Sequence, residues 1–344
     1  MKIIVMKFGG TSVANIEKIN NVAKIVSTQS KKNKIVVVLS AMSGVTNQLQ
    51  SYIDEIDYSP SEETDLVMTS GEQVTVGLLS MILNKQGIKS KPLLGWQIPI
   101  VTDENHEKAR ILNIENKNIH YHFKSHDVIV LAGFQGISLS GHITSLGRGG
   151  SDTTAVAIAS SLSAERCDIF TDVNGVFTSD PNIVTNAKKI DKLAYEEMLE
   201  MASTGAKVLQ TRSVELALKN NLTLQVLSSF TNLEGTYILN ENKLIEKGIV
   251  SGVSYSENES KLTISGISDK PGISAKIFGL MARSNINVDM IVQNISQDGI
   301  FANMTFTVPT KDLSLAKKIL QNNDNQINYR NLSSDSDIAK ISVI

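Results

Sequence analysis

The chain has one cysteine, Cys167, six prolines and one tryptophan among 344 residues, and aromatic residues make up only 5% of it. A lone cysteine excludes an internal disulfide and fits a reducing compartment, so a cytoplasmic location is expected. Neither charge sign dominates: 33 Lys and Arg stand against 35 Asp and Glu, for a formal net charge of −2. No run of basic residues exceeds two, which argues against a nucleic-acid groove. Long apolar runs are also missing. The N-terminal run Ile3-Ile4-Val5 is interrupted by Lys7 before signal-peptide length, and no stretch approaches eighteen apolar residues, so no membrane partner is expected. With 41% hydrophobic and 20% charged residues, the composition is that of a soluble globular protein long enough for two domains.

What is present is a series of buried strands that run into glycine and hydroxyl loops. Ile3-Ile4-Val5 leads into Lys7-Phe8-Gly9-Gly10-Thr11-Ser12, and Ile16, Ile19, Val22, Ala23 and Val26 then recur at helical spacing. Glycine lets the backbone approach an anion, and a helix start offers free N–H groups, so this stretch reads either as a phosphate seat or as an ordinary strand-to-helix turn. The unbroken run Ile35–Leu39 reads as a strand buried on both faces, the mark of a parallel sheet, and its loop Ser40–Thr46 is again rich in small residues and hydroxyls. Residues 61–83 read as one helix with Gly71-Glu72 in its middle; Glu72 is either a solvated face or a carboxylate aimed at a ligand cation.

His120, His122 and His126 lack a supporting carboxylate or cysteine pattern and read as surface and strand residues rather than a metal site. Val128–Ala132 is a further apolar strand. Gly147-Arg148-Gly149-Gly150-Ser151-Asp152-Thr153-Thr154 precedes a helical run and is the most informative local signal. Its three glycines suit an anion-binding helix start, Asp152 lies in the first turn, and the Arg148 fork suits a carboxylate or phosphate. Cys167–Phe170 runs into the polar loop Thr171–Pro181, and Cys167 has no activating base beside it. Gly205-Ala206-Lys207 is expected to open an amphipathic helix reaching Leu218, which would put Lys207 near a helix N-terminus that needs an anion.

Composition shifts over residues 240–259, where a short strand at Ile249-Val250 is expected. Strand 261–266, helix 272–284, strands 286–295 and 300–308 and helix 313–320 then spell most of a ferredoxin-like βαββαβ unit. A last strand is expected over 338–344, ending the chain in mid-strand.

Taken in order, Lys7-Phe8-Gly9-Gly10-Thr11-Ser12, Ser70-Gly71-Glu72, Gly147–Thr154, Thr171-Asp172-Val173, Asp180-Pro181 and Gly205–Leu209 closely resemble the aspartokinase family. Asp269–Gly272, Asn287–Met290 and Gln293-Asn294 resemble the ACT regulatory domain of the same enzymes. The resemblance covers the whole chain. It implies an α/β amino-acid kinase fold, a mostly parallel central sheet sandwiched by helices, over residues 1–248. A ferredoxin-like ACT region over 249–344 would hold one module and the first strand of a truncated second. The implied activity is transfer of the ATP γ-phosphoryl group to the side-chain carboxylate of L-aspartate, opening lysine, threonine and methionine biosynthesis.

The resemblance also implies roles. Lys7 and Lys207 would approach the phosphates, with Asp152 positioning the lysines. Gly9, Gly10, Ser12, Ser40, Thr171, Asp172, Phe177, Thr178 and Asp180 would bind ATP, with Mg2+ carried mainly on the ATP phosphates. Arg148, Gly149, Gly150, Ser151, Thr46 and Glu72 would hold aspartate, Glu72 on its ammonium. Lysine or threonine would act as effector near Asp269, Gly272, Ser274, Asn287 and Gln293, and a homodimer through the ACT region is implied. Asn174, Asn182 and Gln210-Thr211 depart from the family pattern. A relative acting on glutamate, acetylglutamate or a nucleotide, and a silent amino-acid-binding regulator, are the alternatives.

Overall fold

Alternation along a strand decides how the first half of the chain is layered. In β1 (Ile3–Phe8) Ile4, Met6 and Phe8 point to one face and Val5 to the other, and all four are buried. The computed structural model describes residues 1–206, 208–243, 250–268, 270–295 and 301–344. It divides into two compact units, 1–253 with 343–344, and 254–342. The expected boundary after residue 248 falls within 244–249, outside the described residues.

In chain order the first unit contains β1, α1 (Ile16–Ser30), β2 (Lys34–Leu39), α2 (Val45–Ile56), α3 (Glu62–Met68), α4 (Ser70–Lys85) and β3 (Ser90–Leu93). There follow β4 (Ile100–Thr102), β5 (Ile111–Ile114), α5 (Lys117–His122), β6 (Val128–Ala132), β7 (Gln135–Ser138), β8 (Ile143–Ser145) and α6 (Gly150–Ser161). The unit closes with β9 (Arg166–Thr171), β10 (Lys192–Ala194), α7 (Tyr195–Thr204), α8 (Thr211–Lys219), β11 (Leu224–Ser228) and β12 (Thr236–Leu239). Eight strands form the main sheet in the order β10-β12-β11-β9-β1-β2-β6-β3. Every neighbouring pair is parallel except β11 with β12.

Both faces are covered, as the continuous apolar strands require. Ile4, Met6, Phe8, Val37 and Leu39 pack against Ile19, Val22 and Val26 of α1 and Val76, Leu79 and Leu83 of α4. Val5, Val36, Val38, Ile129 and Leu131 pack against Ala155, Ile158 and Ala159 of α6 and against α7 and α8. Each such side chain contributes about 1.5–3 kcal/mol when fully buried. A smaller sheet has the order β5-β4-β7-β8. His120 and His122 sit on α5 rather than on a strand.

Two expectations about helices are corrected. The helix over 61–83 is interrupted at Thr69, whose hydroxyl donates to the Asp65 carbonyl and whose own carbonyl accepts from Gln135 Nε2. The helix expected to open at Gly205 begins instead at Thr211, because Gly205, at φ +131°, terminates α7. Lys207 itself lies outside the described residues.

The second unit holds most of β13 (Val253–Ser256), then β14 (Glu259–Ser268), α9 (Ile273–Arg283), β15 (Asp289–Ile295) and β16 (Phe301–Pro309). It ends with α10 (Leu313–Asn322), α11 (Asp324–Ile327), β17 (Asn331–Asp335) and β18 (Lys340–Val343). The antiparallel order β15-β16-β14-β17 is the ferredoxin-like arrangement expected from the sequence. Its core joins Leu262, Ile264, Met304, Phe306 and Val308 to Ile277 and Met281 of α9 and Ala316 and Leu320 of α10. The strand at the boundary begins at Val253, not at Val250; Ile249 lies outside the described residues. The terminal strand forms at Lys340–Val343 and pairs with β13 in a separate two-stranded ribbon.

Gly235, at φ +76°, leads into β12, and a Cβ there would lie 2.0 Å from the Val226 carbonyl oxygen. Gly235→Ala should therefore cost more than about 2 kcal/mol, combining left-handed strain with a backbone collision. The midpoint of urea unfolding measures this; an unchanged midpoint would show that the turn relaxes freely.

Candidate active site

The four central parallel strands β9, β1, β2 and β6 end at Thr171, Phe8, Leu39 and Ala132, and the glycine and hydroxyl loops follow at that edge. This carboxyl edge is where helix N-termini gather and where open α/β sheets bind ligands. Lys7 lies two residues beyond Val5 and so shares the face covered by α6. Its ammonium meets Asp152, in the first turn of α6, at 2.7 Å, and both side chains are only about a tenth exposed, at 12% and 11%. The helix dipole favours a carboxylate at that position. Gly9 leaves the ammonium room, since a Cβ there would lie 3.3 Å from Lys7 Nζ.

Close backbone approaches bring the other loops in. A Cβ on Gly10 would lie 3.0 Å from the Ala41 carbonyl oxygen, and one on Gly71 would lie 2.7 Å from Ala41 Cβ. A Cβ on Gly133 would lie 2.8 Å from the Ser151 hydroxyl. The start of α4 is thus pressed onto the loop after β2, and the start of α6 onto the end of β6. Glu72 is consequently 3% exposed, which removes the solvated-face reading. Its Oε1 accepts from the Ala41 N–H at 3.0 Å, while Oε2 is buried with no hydrogen-bond partner among the described residues. Burial pushes its pKa up to about 7, against the opposing pull of the Ala41 N–H. A buried, unpaired carboxylate oxygen is unfavourable alone and is relieved by a cation.

The remaining aspartate-side residues lie on the same edge. Arg148 is exposed on a turn between Gly147 (φ +76°) and Gly149 (φ +72°), with no ion pair among the described residues. Gly149 packs directly on the Gln210 side chain and Gly150 on the Phe134 ring, leaving neither room for a Cβ. Ser151 is buried, and Thr46 is half-buried in the first turn of α2.

The nucleotide-side residues divide. Thr171 ends β9 and donates its hydroxyl to Asp172 Oδ1 at 3.2 Å. Ser12 is buried with its hydroxyl 2.8 Å from that of Ser229, and Ser40 donates its N–H to the Phe8 carbonyl; both fasten loops. Phe177, Thr178 and Asp180 belong to the excursion between β9 and β10. There Phe177 bridges to Lys189, Thr178 Oγ1 accepts from the Lys188 N–H at 3.0 Å, and Asp180 Oδ1 accepts from the Asn182 N–H at 2.8 Å. No hydrogen bond or ion pair among the described residues joins these three to Lys7 or Asp152. Among the described residues, no three His, Cys, Asp or Glu side chains gather as a metal site.

The expected effector residues fall into two groups within one chain. Gly272, at φ +91°, and Ser274 open α9, whereas Asn287 lies past its far end, about 16 Å away at 1.5 Å per residue. Gln293 pairs with Met304 in the sheet, and Asp269 lies outside the described residues.

Residues 2–228 match the amino acid kinase family and residues 262–323 an ACT domain. An aspartate kinase from Pseudomonas fluorescens is 48% identical over 349 aligned positions, covering all of this chain and 84% of that protein. The chain belongs to the aspartate kinase family. Aspartokinase III of E. coli, solved in complex with aspartate and ADP, superposes with a TM-score of 0.83 at 27% identity, covering 100% of this chain and 87% of that one. The same enzyme in complex with lysine and aspartate, in the T-state, gives 0.78 at 27% identity over the same shares.

The departures from the family pattern have structural roles. Asn174 Oδ1 accepts from the Thr231 hydroxyl at 2.7 Å, Asn182 closes the Asp180 turn, and Gln210 abuts Gly149. Two residues escaped the sequence reading. Arg212 donates to the Leu146 carbonyl at 3.1 Å and the Ala109 carbonyl at 2.9 Å, with its pKa lowered by burial. Asp65 is fully buried in α3, and as one of several acidic residues around that helix it carried no signal of its own.

A carboxyl whose pKa is higher in the folded chain binds more protons there, so its contribution to stability falls as pH rises from about 4.5 toward 7. At about 1.4 kcal/mol per unit the loss amounts to about 3 kcal/mol. Glu72→Gln should flatten this part of the stability profile, read as urea midpoints from pH 5 to 8 without ligand; an identical slope in the variant would rule out Glu72 as its source.

Proposed function

We propose that the site transfers the γ-phosphoryl group of ATP to the side-chain carboxylate of L-aspartate, giving 4-phospho-L-aspartate and ADP. A carboxylate oxygen of aspartate forms the new bond to phosphorus as the bond to the bridging oxygen of ADP breaks. The attacking group is already ionised at neutral pH, so no general base is required, and catalysis rests on positioning and charge. Lys7 neutralises the moving phosphoryl group from the end of β1, and Asp152 holds it there. Lys207 is the second cation of this reading. The glycines at Gly9 and Gly10 let backbone approach the phosphates.

Aspartate is held at both ends. Its ammonium supplies the cation that Glu72 Oε2 lacks, and Arg148 pairs with a carboxylate, with Thr46 and Ser151 adding hydrogen bonds. The observation that carries this is the buried Oε2 of Glu72, without a hydrogen-bond partner among the described residues, while Oε1 is held by the Ala41 loop that also packs against Gly10 beside Lys7. The solved E. coli relative holding aspartate and ADP supports the pairing of substrates. The magnesium ion that accompanies ATP supplies further charge neutralisation and is carried on the phosphates, Asp152 being already committed to Lys7.

The ACT region is read as the regulatory and dimerising part. β15 is an edge strand exposed along its whole length, with Met290, Ile291, Val292 and Ile295 each roughly half exposed or more, and a second copy is its fitting partner. Such pairing also offers a way for effector residues at the two ends of α9 to meet across copies. The lysine-bound T-state relative supports an amino-acid effector, with threonine as the alternative. A cytoplasmic location completes the reading, in keeping with the single buried cysteine.

Coupled ADP release should depend on L-aspartate and ATP, and Lys7→Met should lower kcat by about a hundredfold or more while the far-ultraviolet circular dichroism is retained. Near-normal turnover in that variant would overturn the role of Lys7, and turnover with glutamate but not aspartate would overturn the substrate.

A further inference from the structure

Asp65 is 0% exposed and receives donors from two separate segments of the chain. Its Oδ1 accepts from the Ser145 hydroxyl at 2.5 Å and from the Glu107 N–H at 3.0 Å, and its Oδ2 lies 2.7 Å from His106 Nδ1. The carboxylate sits in α3, next to the helix that carries Glu72. Ser145 ends β8, three residues before Arg148. The third group, His106 and Glu107, belongs to the loop between β4 and β5. The catalytic roles assigned above do not use any of these three.

The same loop grips the arm that carries Arg148. The Ala109 N–H donates to the Ser145 carbonyl at 3.0 Å, and Arg212 bridges the Ala109 and Leu146 carbonyls. Gly147 comes so close to the Glu107 carbonyl that a Cβ would lie 2.7 Å from its oxygen. Glu107 adopts a left-handed backbone at φ +62°, a conformation a non-glycine residue keeps only when its surroundings hold it. The hydrogen bond from its N–H to Asp65 is one such hold.

We propose that Asp65 is a positioning residue for aspartate recognition. It locks the Arg148 arm to α3, which leads through Thr69 into the helix bearing Glu72, and so sets the spacing between the two ends of the aspartate clamp. The inference rests on the aspartate kinase reading above. It concerns the acceptor side alone, because no hydrogen bond or ion pair among the described residues joins the Lys7–Asp152 pair or the loop after β9 to this cluster. A purely structural role would lower stability without separating the two substrates.

The test is steady-state kinetics on the full chain, with aspartate and ATP varied in turn, alongside unfolding midpoints. Asp65→Asn should raise the aspartate KM about tenfold while the ATP KM moves less than about twofold. Ser145→Ala and His106→Ala, which leave the carboxylate in place and each remove one donor, should raise the aspartate KM about threefold with the same selectivity. These two carry the test by themselves if Asp65→Asn does not fold. Aspartate and ATP KM rising together, or a lowered unfolding midpoint with an unchanged aspartate KM, would overturn the proposal. Aspartate-dependent ADP release by the unaltered chain is measured in the same series; its absence would overturn the underlying reading and this inference with it, whereas its presence with unmoved variants would overturn the inference alone.

Discussion

The ion pair between Lys7 and Asp152 is the constraint on which the site depends. Two charges about nine-tenths removed from water are tolerated only as partners, and losing either strands the other in a poorly solvated place. The pair also ties the centre of the sheet to the helix above it: Lys7 stands at the carboxyl end of β1, and Asp152 at the amino end of α6. Because side chains alternate along β1, the apolar residues flanking Lys7 fill one layer while the lysine rises into the other. The strand is thereby both a core element and the bearer of the cation.

Around that pair the site is assembled by close backbone contact. Gly10, Gly71 and Gly133 allow two loops and two helix starts to meet at distances that a Cβ would forbid. The same closeness buries Glu72 and leaves one of its oxygens without a hydrogen-bond partner among the described residues. An ammonium there would offset the cost of that buried oxygen, which is what the proposed acceptor supplies. Arg148, by contrast, is exposed, and its position is set by the backbone that carries it.

Much of this was legible in the sequence for a physical reason. Five-residue apolar runs such as Ile35–Leu39 and Val128–Ala132 have one stable home, the middle of a parallel sheet. The order of strands and helices after residue 260 likewise announced the ferredoxin-like unit. The short strands β3, β4, β5, β7 and β8 have three or four residues each, too few to show a period, and the small second sheet was missed with them. Gly205 was read as opening a helix when its positive φ ends one. The glycine turns, Asp152 and Glu72 were visible because small residues and charges stand out beside apolar runs. Asp65 looked like one more helix carboxylate, and only its tertiary partners, some forty and eighty residues away in sequence, distinguish it. Residues such as Thr178 and Asp180 were assigned roles by the family resemblance, yet their side-chain hydrogen bonds among the described residues are to their own loop.

The claim that Lys7 and Asp152 act as one unit is tested most directly by a double-mutant cycle on kcat with saturating aspartate and ATP, using Lys7→Met, Asp152→Asn and the combined variant. If Asp152 works by holding Lys7, the combined variant should lose about as much activity as Lys7→Met alone, so that the two losses are strongly non-additive. Losses that simply multiply would show two independent contributions and would contradict the account.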